Sequence, residues 1–166
     1  MGQQQLLLLV LGIVIVGIAV VAGIQAFSEG KSKSARDAAA SDAMRIVSDA
    51  QAWKLKPQAF GGGAGKKVAP TFRDLGYPDA VTTTDTGGNS ITGTGVQDAD
   101  GKEYRTVSGC YTIDDGIAKT AANGGVASIS ISLLEEDGVS CGAKYATVDI
   151  KGTTSDDIIW SYDVAD

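Results

Sequence analysis

Positions 6–24 constrain this chain most: they read LLLLVLGIVIVGIAVVAGI without one charge. About nineteen residues at ~1.5 Å each make a helix of about 28 Å, which matches a bilayer core. A secretory signal peptide has a basic start, a shorter apolar core and a small-x-small cleavage site. This run follows Met1, Gly2 and three glutamines and is longer, so it reads as retained. The alternative is a buried helix of a soluble domain, but a fold of 166 residues rarely hides such a segment on all sides.

What the chain lacks narrows its chemistry. It has no histidine, which closes the Ser-His-Asp triad, the Cys-His pair and the imidazole metal sites. A net charge of -6 argues against a surface that tracks phosphates. The expectation is a non-enzyme with no cofactor, no metal and no nucleic-acid partner. Gly61, Gly62, Gly63 and Gly65 lack the spacing and the Lys-Ser/Thr end of a phosphate loop, and read as a connector. Asp98, Asp100, Gly101 and Glu103 offer oxygen ligands to calcium but not a full EF-hand loop, and a turn before a strand explains them as well. Glu135, Glu136 and Asp137 read as the solvated tip of a hairpin ending at Gly138, and Asp156 with Asp157 as another solvated pair. Thr82, Thr83, Thr84 and Thr86 are candidate sugar acceptors on an exposed surface.

Beyond Ile24 the helical pattern continues. Phe27, Ala35, Ala39, Ala43, Ile46, Val47, Ala50 and Trp53 recur at helical steps, with Arg36, Asp37, Asp42, Arg45 and Asp49 between them. Pro57 is the natural stop. One helix from Gln3 to Leu55 would measure about 80 Å, unless the Gly- and Ser-containing stretch 28–34 kinks it. Four strands follow, at 104–113, 126–134, 144–150 and 158–164. In the second, Ile129, Ile131 and Leu133 alternate with serines, so one face is apolar and the other hydroxylic. Ile46, Val47 and Trp53 are expected to pack on that apolar face. The fold expected is α+β, a long N-terminal helix packed at its second half on a C-terminal antiparallel sheet. Its divisions are 1–27, 28–56, a Gly/Thr-rich connecting region at 57–103, and a sheet domain at 104–166.

Orientation rests on two opposed signals. Lys31, Lys33 and Arg36 after the apolar run favour a cytoplasmic C-terminal domain. Cys110 and Cys141, an even pair in a small Gly-rich domain, read as a disulfide made in an oxidising compartment. The cysteines are given more weight.

The whole layout resembles a type IV pilin, a filament-forming subunit held in the membrane before assembly. The sharpest part of the resemblance is QQQLLLLVLGIVIVGIAVVAGI. It departs from the family at three points: no basic leader is visible, no proline precedes Pro57, and Gln5 stands where the family has a glutamate if Met1 is first. The family's glutamate meets a neighbour's terminal amine, so Met1 and Gln5 are the corresponding intersubunit contact here, without the charge-assisted part of that bond. The resemblance further implies the cytoplasmic membrane before assembly, the pilus assembly machinery as partner, and then an extracellular helical homopolymer for adhesion, motility or DNA uptake. In such a polymer Leu6, Leu9, Gly12, Ile13, Val16, Gly17, Val20, Gly23 and Ile24 would form the packed core. Two other readings compete: a minor pseudopilin of a secretion machine, and a monomeric extracellular binding module on a membrane tether.

Overall fold

The computed structural model describes residues 2–84, 90–120, 125–135 and 140–163. Helix α1 spans Gly2–Leu55, with residues 28–34 helical throughout. After it come β1 (Thr82–Thr84), β2 (Ser90–Thr92), β3 (Gly95–Val96), β4 (Glu103–Arg105), β5 (Cys110–Asp114), α2 (Gly116–Thr120), β6 (Ala127–Leu134), β7 (Cys141–Ile150) and β8 (Ile158–Tyr162). Strands β1 and β2 form a hairpin of their own, and β3 to β8 form a six-stranded antiparallel sheet in sequence order. The architecture is therefore α+β, as the pattern of one long helix followed by short strands requires. By packing, the chain divides into Met1–Arg36 and Asp37–Asp166.

The core lies in the second unit. Ala39, Ala43, Ile46, Val47 and Ala50 of α1 are buried together with Ile129 and Ile131 of β6 and Ala146, Val148 and Ile150 of β7. Steps of three and four on the helix and of two on the strands bring these residues to one interface. Leu133 is partly buried at its margin. Ser128, Ser130 and Ser132 are half-buried on the other face of β6, where the Ser128 hydroxyl donates to Asp149 at 2.7 Å.

Three expectations need correction. The stretch 104–113 is two strands. The Thr106 amide donates to the Gly109 carbonyl and the Ser108 amide to the Thr106 hydroxyl, which turns the chain so that Tyr104 pairs with Tyr111. The Val-Ser-Gly turn is concealed by the strong strand propensity on both sides of it. The region 57–103 is more than a connector: Ala69, Phe72, Tyr77 and Val96 belong to the core, and it supplies β1, β2 and β3.

Trp53 is the third. It is buried but stands outside the core cluster that contains Ile129 and Ile131. Its ring lies on the glycine run instead, where a Cβ on Gly63 would fall inside the indole. That run is a helix cap. Gly63 and Ala64 donate their amides to the Trp53 and Lys56 carbonyls at 2.9 and 3.2 Å, satisfying acceptors that the end of α1 would leave bare. Gly61 reverses the chain at φ 78. Lys66 Nζ covers the indole from 5.7 Å. Gly63→Ala should therefore cost about 1–3 kcal/mol through overpacking, with an altered Trp fluorescence maximum in the native state. Wild-type melting and emission would show that the loop does not hold the indole.

Candidate functional site

The most unusual surface belongs to the first unit, taken by itself. Fourteen large apolar side chains of 6–24 are each 50–68% exposed. At about 1 kcal/mol for each partly exposed Leu, Ile or Val, leaving them in water costs on the order of 10–20 kcal/mol. That rivals the whole stability of a typical domain. The segment needs a cover of lipid or protein. Leu6, Leu9, Ile13, Val16, Val20 and Ile24 all lie on this surface, and Gln5 is exposed on α1 just before it. Met1 lies outside the described residues.

The glycines shape that surface. A Cβ at Gly12, Gly17 or Gly23 would meet nothing within 4 Å, so no contact among the described residues requires glycine there. At 3.6 residues per turn, Gly12 and Gly23 fall within about 20° of one another and Gly17 about 120–140° away from them. The three glycines thus occupy two sides of the helix. Gly17 also lies in a shallow notch with Ile18, Val21, Ala22 and Gln25.

The second unit is built for rigidity. Cys110 of β5 and Cys141 of β7 are joined in a disulfide, with Cα atoms 5.9 Å apart. Cys110 pairs with Ser132 and Cys141 with Leu134, so the bridge reaches across the end of β6, where the β6–β7 register shifts. Tyr111 is wholly buried and donates its hydroxyl to the Ala39 carbonyl at 3.2 Å, tying the sheet to α1. Burial pushes this phenol's pKa well up, so it stays a neutral donor. Tyr77 donates to Asp49 at 2.7 Å, and burial with that hydrogen bond pushes it up to about 12. The Arg45 guanidinium sits 5.4 Å from the Tyr77 ring centre. Sequence reading missed this cluster because 28 residues separate Asp49 from Tyr77.

Asp98 resolves the acidic turn. Its Oδ1 accepts the Lys102 and Glu103 amides at 2.8 and 3.0 Å, and Gly101 takes φ 70. These contacts make a turn leading into β4. Asp157 likewise accepts the Thr154 amide and hydroxyl in a capping box. The Glu135 amide donates to the Ser140 carbonyl at 2.9 Å, and the hairpin tip at Glu136, Asp137 and Gly138 lies outside the described residues, as does Thr86. Among the described residues no group of His, Cys, Asp and Glu gathers with metal-holding geometry.

Asp115 is the electrostatic junction. It accepts the Ala69 amide at 3.1 Å and pairs with Lys102 at 3.1 Å and Lys119 at 3.2 Å. Burial alone would raise its pKa, but the bonds from Lys102, Ala69 and Lys119 outweigh it and the net shift is downward. A depressed folded-state pKa means that this contribution is present above the unfolded value near 4 and is lost as pH falls through the folded value. Asp115→Ala should cost about 1–2 kcal/mol at pH 7 and flatten the loss of stability below about pH 4. An unchanged acid limb in urea titrations would contradict the role.

Asp49, Asp98, Asp115 and Asp157 of the second unit are thus engaged in capping, turn and anchoring contacts, while the first unit presents a bare apolar helix. No family model, curated protein or solved structure matches the chain.

Proposed function

We propose that the chain is a pilin-like structural subunit. It rests in the cytoplasmic membrane through 6–24 and then polymerises, with pilus-type assembly machinery, into an extracellular filament whose core is that segment. No catalytic role belongs to this reading. The observation that carries it is the exposed apolar surface of α1 with glycines on two sides, Gly12 and Gly23 on one and Gly17 on another. A monomer on a tether needs only a greasy helix, and a helix dimer needs one seam of small residues. Close approach on two sides suits a polymer in which each helix has several neighbours. The Cys110–Cys141 disulfide supports an oxidising compartment for the sheet domain.

The test is detergent removal from the purified full chain at increasing protein concentration, read by sedimentation and negative-stain microscopy. Uniform filaments are expected. Amorphous aggregate or liposome-bound monomer under every condition would overturn the reading in favour of the tethered module. Filaments that stop at a few subunits would favour the pseudopilin.

A further inference from the structure

The two edges of the six-stranded sheet are finished differently. At the β3 edge the outward-facing residue is Val96, and both of its backbone groups are taken: its amide donates to the Pro78 carbonyl at 2.9 Å and its carbonyl accepts the Ala80 amide at 3.0 Å. That edge is sealed. At the β8 edge, Asp163 donates its amide to Tyr145 and Lys151 donates to Asp157, which fixes the ladder so that 157, 159, 161 and 163 bond to β7. Residues 158, 160 and 162 therefore turn their backbone groups outward. The Ile158 amide is used locally by the Ser155 carbonyl. The amides and carbonyls of Trp160 and Tyr162 face no backbone partner among the described residues.

Nothing in β8 blunts this edge. The strand reads IIWSY, with no proline, no lysine and no register shift against β7. Ile159 and Tyr162 are 41% and 63% exposed, and the Trp160 and Tyr162 rings stack with centres 6.0 Å apart. Carboxylates flank it, with Asp156 and Asp157 before the strand and Asp163 after it, the last paired to Lys144 at 3.2 Å. Those charges select the occupant. Two β8 strands paired antiparallel about Trp160 would set Asp157 opposite Asp163, a like-charge pair that destabilises a ladder.

We infer that the open edge of β8 receives an added strand from another protein, an extended segment with a β-branched or aromatic core and Lys or Arg at both ends. The outward groups of Trp160 and Tyr162 supply the main-chain bonds, the exposed Tyr162 ring covers the core side chains, and the flanking carboxylates meet the basic ends. The site lies wholly within Asp37–Asp166 and is independent of whether the apolar helix polymerises.

The test uses the full chain in detergent micelles and a synthetic peptide, Lys-Lys-Val-Thr-Val-Thr-Val-Lys-Lys. Three companions are the same peptide with Glu for Lys, the same with every core amide N-methylated, and no peptide. Hydrogen exchange of the Trp160 and Tyr162 amides should slow by about tenfold or more with the Lys-flanked peptide only. Tyr162→Pro removes an outward amide, which an edge strand tolerates, and should abolish binding. Tyr162→Thr keeps the amide and should bind within about tenfold of the parent. Equal protection by the N-methylated peptide, equal protection by the Glu-flanked peptide, or no protection by any peptide overturns the inference. Protection that rises with protein concentration without peptide assigns the edge to a second copy and overturns it too.

Discussion

Gly17→Leu should enter membranes as the parent chain does and yet yield about tenfold fewer filaments or less. A Cβ at Gly17 meets nothing within 4 Å among the described residues, so a leucine there starts from open space in the monomer. It keeps the span apolar and even raises helix propensity. The only thing it removes is the notch shared with Ile18, Val21, Ala22 and Gln25, into which a neighbouring helix would press. Gly17→Asp should abolish filaments altogether, because a carboxylate buried among packed helices has no partner. It also costs insertion by about 3 kcal/mol, which is why the leucine variant is the cleaner probe. Membrane flotation gives the insertion of each variant and pelleting gives its assembly. Parental filament yield from Gly17→Leu would remove the close-packing role of this glycine.

Loss of the disulfide should be the largest single blow to the sheet domain. The Cys110–Cys141 bridge closes a loop with a sequence separation of 31. In the chain-entropy account, that is about 3–4 kcal/mol of stability, or on the order of 10 °C in Tm for a chain of this size. The bridge also sits where the β6–β7 register shifts, so it pins the two strands where their pairing is irregular. Cys110→Ser with Cys141→Ser, or reductant on the parent, should lower Tm by that amount. Labelling of both thiols by an alkylating agent in the folded, unreduced protein would refute the bridge, and with it the argument for an oxidising compartment.

What could be read from the residues was whatever repeats at a fixed period. The apolar run, the stripe from Ala39 to Ala50 and the Ser/Ile alternation of β6 are each set by side-chain spacing along one element, and the α+β arrangement follows from them. Trp53 fell on the stripe by period and was therefore assigned to the sheet. Its true neighbour is Gly63, because the end of α1 has carbonyls to satisfy and the glycine run folds back to do so. Requirements of that kind depend on where the chain goes next, which no window of the helix contains. The hairpin at Thr106–Gly109 was hidden for a different reason, since β-branched and aromatic residues flank a turn of only a few residues. The unequal edges of the sheet were invisible as well: β3 is two residues long, and its seal comes from a segment around Asp79 with no strand character of its own. Among the candidate assembly residues, the apolar ones were legible as a surface that must be covered. That a Cβ on Gly12, Gly17 or Gly23 would meet nothing within 4 Å among the described residues required the structure.

In the proposed filament, copies of this chain bury 6–24 against one another. Helical reconstruction by electron cryo-microscopy of filaments formed by the full chain tests it most directly. The expected result is a core of packed helices in which Leu6, Leu9, Ile13, Val16, Val20 and Ile24 contact neighbouring subunits, with Gly17 at a point of close approach. A polymer held together through the sheet domains, with the apolar segments still clothed in detergent or lipid, would contradict it.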